Sequence, residues 1–227
     1  MVLPEDFFDL TTCEHRALFA DLPRVWEALA RLEDYLRDRL TPGLRGLVMP
    51  GAWVQGEVCL GEGSVVQPGA LIIGPVLIGR RCEIRHGALV RGPALIADRA
   101  VVGHGSEVKQ AILLEGARAS HLNYVGDSIL GAEANLGAGT VCANLKLTHD
   151  PIVIRTPHGD HPTRLEKLGA ILGDRVQIGA NSTLAPGTLV GPRSLTYQAA
   201  SLRGWYPPDS IIKARSTIEV VARRDER

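Results

Sequence analysis

Residues 66–84 decide the fold: Val66-Gln67-Pro68-Gly69-Ala70-Leu71-Ile72-Ile73-Gly74-Pro75-Val76-Leu77-Ile78-Gly79-Arg80-Arg81-Cys82-Glu83-Ile84. Every sixth position is aliphatic (Val66, Ile72, Ile78, Ile84), and four residues after each of the first three stands a small or short side chain (Ala70, Val76, Cys82). The same step runs outward through Val48, Val54 and Leu60 on one side and through Val90, Ile96, Val102 and Val108 on the other. The small positions follow it from Ala52 to Ile112. The ladder slips by one residue to Leu113, continues at Ala119 and Val125, slips again to Leu130 and Leu136, and resumes at Leu172, Ile178, Leu184 and Val190.

A helix needs a period of 3.6, and hairpins need turn signals at irregular spacing, so a strict six excludes both. Six residues make a short strand and a turn, and three such units close a triangular coil of 18 with the aliphatic residue inside. The pattern resembles the left-handed parallel β-helix of hexapeptide-repeat acyltransferases, a known exception to right-handed crossovers. The fold class expected is all-β, a left-handed parallel β-helix of hexapeptide repeats with an N-terminal α-helical appendage.

The appendage follows from Leu22, Val25, Trp26, Leu29, Leu32, Leu36 and Leu40, whose steps of three and four place them on one helical face. A helix of four or five turns is expected there, capping one end of the coil. Aromatic residues are scarce, at 4%, and half of them lie in the first 40 positions, so the two regions have different cores. The expected divisions are a helical cap over 1–44, the β-helix over 45–205 with a charged loop insertion at about 145–168, and a tail over 206–227.

Twenty-five basic side chains balance 25 acidic ones, which offers no overall attraction to nucleic acid or anionic lipid. No apolar run is long enough for a membrane span, and a cytoplasmic protein is expected. Cys13, Cys59, Cys82 and Cys142 form no Cys-x-x-Cys pair and read as reduced, mostly buried thiols.

With 18 residues per coil, residues 18 apart stack about 4.8 Å apart. Arg91 and Lys109 then share a column, which suits a phosphate or pyrophosphate; a solvated basic strip is the alternative. His86, His104 and His121 form a second column. γ-Class carbonic anhydrases hold zinc with histidines on a similar coil, but their pair of histidines five apart is absent here, and no metal is expected. His158 and His161 read as exposed loop residues.

The segment from His121 through Tyr124 and Asp127 to Asn135, Ala138 and Asn144 resembles the acetyltransferase half of bifunctional N-acetylglucosamine-1-phosphate uridyltransferase and of archaeal-type sugar-1-phosphate nucleotidylyltransferases. That resemblance implies an acetyl-CoA-dependent N-acetyltransferase acting on an amino-sugar 1-phosphate or nucleotide amino sugar. It implies His121 as general base, Asn144 beside the reacting amine, and Arg91, Lys109, Tyr124 and Asn135 on the sugar phosphate. It places Ala138 and Ala180 near coenzyme A and implies a homotrimer. Imidazole chemistry agrees, since its pKa near 6.5 lets it accept the amine's proton at neutral pH.

Two positions differ from the family. Ala180 stands where the family has a serine, and Asp150 where it has a lysine; Lys146, His149 or Arg155 would have to compensate for the latter. No nucleotidyltransferase signature is present, so no nucleotide-sugar synthesis is expected of this chain. The rival reading is a noncatalytic scaffold or sugar-nucleotide-binding coil.

Overall fold

The structure, a computed structural model, describes residues 2–214. Short parallel strands wind around three walls, in the order wall two, wall three, wall one in each coil. Wall two is a nine-stranded sheet running from Leu47–Val48 to Ile211–Ile212. Wall three runs from Trp53–Gln55 through Leu71–Ile73, Tyr124–Gly126 and Val141–Cys142 to Ser201–Leu202. Wall one holds Val58–Leu60, Val76–Ile78, Ile129–Leu130, Ala170–Leu172 and Thr188–Val190. Two longer strands, Leu89–Ile96 and Glu107–Leu113, turn the corner from wall three into wall one. The left-handed β-helix of hexapeptide repeats expected from the six-residue period is thus present.

The ladder is the core. Leu60, Val66, Ile72, Ile78, Ile84, Val90, Ile96, Val102 and Val108 are fully buried in one cluster with the small residues between them. Removing a side chain of this size from water is worth about 1.5 to 3 kcal/mol, so a column of them outweighs the modest intrinsic stability of short strands. Small polar residues at the corners bond to backbone inside the stack: the Ser64 hydroxyl donates to the Gly79 carbonyl at 2.7 Å and accepts the Cys82 N–H at 2.8 Å. Burial pushes the Cys82 and Cys142 thiols up to about 11 and about 12, which suits unreactive packing residues.

Each slip in the ladder is a shortened corner. Opposite Gly92 and Pro93 the chain spends only Gln110, so register shifts between Lys109 and Ala111, and Ala111 rather than Ile112 enters the coil core. Asp127 makes the same short corner one coil on; Gln110 and Asp127 both take left-handed backbone, at φ 48° and 47°.

The appendage differs from expectation in length and place. Its helix covers Glu27–Arg39, with Leu22 and Val25 buried in turns ahead of it. It lies along wall one instead of over an end. There Phe19, Trp26, Leu32 and Leu36 share a second core with the outward-facing Leu95, Ile112, Ile129, Ile171 and Leu189. Alternation along a strand sends these five out of the coil, and as apolar residues they require a second layer.

The 145–168 loop folds back onto this layer as well. Val153–Thr156 and Gly159–Pro162 pair antiparallel, and Ile152, Ile154 and Leu168 are buried. His161 packs edge-on against Trp26 and is half-buried, whereas His158 is exposed. The coil extends past 205, since Trp205–Tyr206 and Ile211–Ile212 both pair with the preceding coil. Of the tail expected over 206–227, residues 215–227 lie outside the described residues. No described helix is long and apolar enough to cross a membrane.

Candidate active site on wall three

Lys109 pairs in register with Arg91 above it and Gly126 below it. Gly126 leaves room there: a Cβ would stand 2.6 Å from the Tyr124 hydroxyl oxygen, so the missing side chain lets the tyrosine ring fold over this position. Arg91, Lys109 and the Tyr124 ring consequently form one continuous column. Burial pushes the Tyr124 hydroxyl's pKa up, with the charges of Glu107 and Asp127 adding; a hydrogen bond with Asn144 and the Arg91 charge oppose this.

Both cations have carboxylate partners that sequence reasoning overlooked. Arg91 Nη2 meets Glu107 Oε1 at 2.7 Å, and Lys109 Nζ meets Asp127 Oδ2 at 3.4 Å. The carboxylates offset the like-charge repulsion of the stack. Asn144 stands one coil beyond Asp127, 17 residues on, and its Nδ2 donates to Asp127 Oδ2.

His121 occupies the opposite margin of wall three, at the corner entered from wall two. Its backbone N–H donates to the Asn123 side chain at 3.0 Å, and the Asn123 amide in turn donates to the Gly137 carbonyl at 2.8 Å. Buried Asn123, not singled out from sequence, is what fixes this corner. The His121 ring is solvent-exposed and accepts or donates no hydrogen bond among the described residues. Above it His86 and His104 stack with centroids 5.4 Å apart, each Nδ1 bonded to a carbonyl, of Pro68 and of His86. No group of three metal-ligating side chains gathers among the described residues.

Ala138 and Ala180 continue the His121 corner: Gly139 N–H donates to the His121 carbonyl and Asn181 N–H to that of Ala138. Asn135 lies elsewhere, on wall two between Arg118 and Gln177. A strand of three residues, about 10 Å, separates the His121 margin from the Asn144 margin. Among the loop residues, Lys146 Nζ donates to the Pro151 carbonyl and Arg155 pairs with Asp160, so both are engaged within the loop. His149 pairs with Glu166, and Asp150 is exposed.

The chain has relatives. The chain is 37% identical over 171 residues to a bifunctional protein GlmU of Methanocaldococcus jannaschii, covering 75% of this chain and 41% of that protein. It is 36% identical over 93 residues to a bifunctional sugar-1-phosphate nucleotidylyltransferase/acetyltransferase of Sulfurisphaera tokodaii, covering 41% of this chain and 23% of that one. The chain thus spans less than half the length of these relatives. Among solved structures, the perosamine N-acetyltransferase of Caulobacter crescentus, bound to CoA and GDP-perosamine, matches 49% of this chain and 54% of its own at 27% identity and TM-score 0.34. A family model described as the GMPPB C-terminal domain matches residues 72–200, more than half of the sequence, and the chain therefore belongs to that family.

Proposed function

We propose that the protein is an acyltransferase that moves an acetyl group from acetyl-CoA to the amine of an amino-sugar 1-phosphate or nucleotide amino sugar. The observation that carries this reading is the column of Arg91, Lys109 and Tyr124 on wall three, flanked by an exposed imidazole and a fixed amide. Arg91 and Lys109 bind the phosphate by exchanging their carboxylates for it. Tyr124 offers an apolar ring and a hydroxyl to the sugar, and Asn144 positions the amine. Asn135, on its separate wall, joins the site through a neighbouring copy.

In the reaction the amine nitrogen attacks the thioester carbonyl, the C–N bond forms and the C–S bond breaks. His121 takes the amine's proton and returns one to the leaving thiolate. The pantetheine arm of coenzyme A runs along the corner of Ala138 and Ala180, whose small side chains leave room for it. A homotrimer closes the cleft by bringing the His121 margin of one copy toward wall three of the next. Trp53 on wall three, 64% exposed, supports such a contact surface.

The rival reading, a noncatalytic sugar-nucleotide-binding coil, draws support from the two carboxylates already seated on the cations. Thiol release from acetyl-CoA with a panel of amino sugar 1-phosphates and nucleotide amino sugars separates the two. Turnover of any of them establishes the enzyme, and binding without thiol release establishes the scaffold. Light scattering tests the trimer, and a stable monomer at micromolar concentration refutes it.

A further inference from the structure

We infer that Asp127 is a positioning residue that makes the site selective for an amine over a hydroxyl, by fixing which end of the Asn144 amide faces the acceptor. This rests on the acetyltransferase reading above. An ionised carboxylate accepts hydrogen bonds and donates none, so the group that Asn144 turns toward Asp127 is its NH₂. The amide carbonyl is then turned away from Asp127, as an acceptor.

Both residues are held by their main chains. The Asp127 N–H donates to the Lys109 carbonyl at 3.0 Å, and its own carbonyl accepts from Gly169 at 2.8 Å. The Asn144 carbonyl accepts from Leu168 at 2.9 Å. What is left to the Asn144 side chain is rotation of its amide, which meets the Asp127 carboxylate and the Tyr124 hydroxyl; the hydroxyl can donate or accept, so Asp127, which only accepts, selects the orientation. The Asp127 residue is 7% exposed, so water competes poorly for that choice.

The chemistry of the acceptor gives the orientation its consequence. A neutral amine carries two N–H groups: one proton leaves for His121 as the C–N bond forms, and the second needs an acceptor throughout. Asn144 Oδ1 supplies it. A sugar hydroxyl has a single proton, which goes to the base, and gains nothing from Oδ1. With the amide reversed, its NH₂ would meet the N–H of the amine donor to donor.

The experiment compares the amino sugar 1-phosphate turned over fastest in the panel with its hydroxyl analogue, using the full chain. In Asp127→Asn either amide of the pair can donate, so the orientation is no longer imposed. Transfer to the amine falls in kcat by roughly tenfold to a hundredfold while transfer to the hydroxyl keeps its kcat, and the freed Lys109 shifts KM for both acceptors alike. The exchange variant Asp127→Asn with Asn144→Asp restores a matched donor and acceptor, with a carboxylate oxygen facing the amine. It recovers the amine preference, which a merely structural role for Asp127 would not do.

Thermal unfolding checks that each variant is folded; if Asp127→Asn is not, the exchange variant alone decides. Unaltered preference in folded Asp127→Asn, or an exchange variant without the preference, overturns the inference while leaving the acetyltransferase reading intact. A wild-type protein that acetylates no amine brings down that reading, and the inference with it.

Discussion

The His15 ring, 7% exposed beneath the N-terminal helix, meets the Tyr35 hydroxyl at 2.9 Å from Nδ1. Burial pulls the imidazole's pKa below its ordinary value of 6.5, with the Arg39 charge adding; Glu14, Asp98 and Glu115 oppose it. The unfolded chain therefore binds more protons than the folded one just below pH 6.5, and the stability held above that pH is lost as pH falls through the folded value. Thermal unfolding from pH 8 to pH 5 should show the wild type losing stability relative to His15→Gln. Tyr35→Phe should cost about 1 kcal/mol at pH 8. A wild type and His15→Gln with parallel pH profiles would contradict the assignment.

Arg91→Ala and Lys109→Ala should each weaken binding of an amino-sugar 1-phosphate by about tenfold or more, since a charge-assisted bond is worth about 1.5 to 3 kcal/mol. Deleting a like-charge neighbour alone would raise stability slightly. Glu107 and Asp127 reverse that sign, and a loss of up to about 1 kcal/mol is expected for the exposed Arg91 pair. Calorimetric titration beside unfolding of the free variants measures both. Unchanged affinity with a large stability loss would make the cations structural.

His121→Ala should fold normally, because the ring is exposed and the corner is held by Asn123 through the backbone. Acetyl transfer should slow by about 10² to 10⁴. Full turnover in the variant would remove His121 from the mechanism.

Gly103 has no room for a side chain against the next coil. A Cβ there would stand 1.7 Å from the backbone oxygen of Ser120, which cannot swing aside. Gly103→Ala should cost at least about 4 kcal/mol, the range reserved for severe core disruption. Gly43→Ala, whose Cβ meets only the Thr41 oxygen at 3.9 Å, should be nearly neutral in the same melt.

The coil was legible because its period is imposed by backbone geometry, and the core residues repeat with it. Val66, Ile72 and Ile78 announce the inside of three walls without reference to distant sequence. Asp127, 18 residues from Lys109, was within reach of the column rule, whereas Glu107, 16 residues from Arg91, stacks in register on Leu89 and meets Arg91 only diagonally.

The place of the helix was hidden for a different reason. Its apolar face declares that it is buried, but not against what. A readable clue was the outward position between two core residues on wall one, filled by Leu95, Ile112, Ile171 and Leu189. One wall with an apolar exterior must be covered from the side. Asn123 escaped notice because a buried corner amide looks, in sequence, like any other polar turn residue.

The excursion through the hairpin leaves the stack at Asn144 and rejoins it at Leu168, where the two main chains are hydrogen-bonded and Leu145 bridges Lys167. Cys142 still pairs with Leu184 as though nothing intervened. A detour whose ends touch can change in length or content without altering the rise of the coil. It begins beside Asp127 and Asn144, so it is a natural graft point. Its exposed residues can be exchanged there while Ile152, Ile154 and Leu168, which are buried in the second core, stay in place.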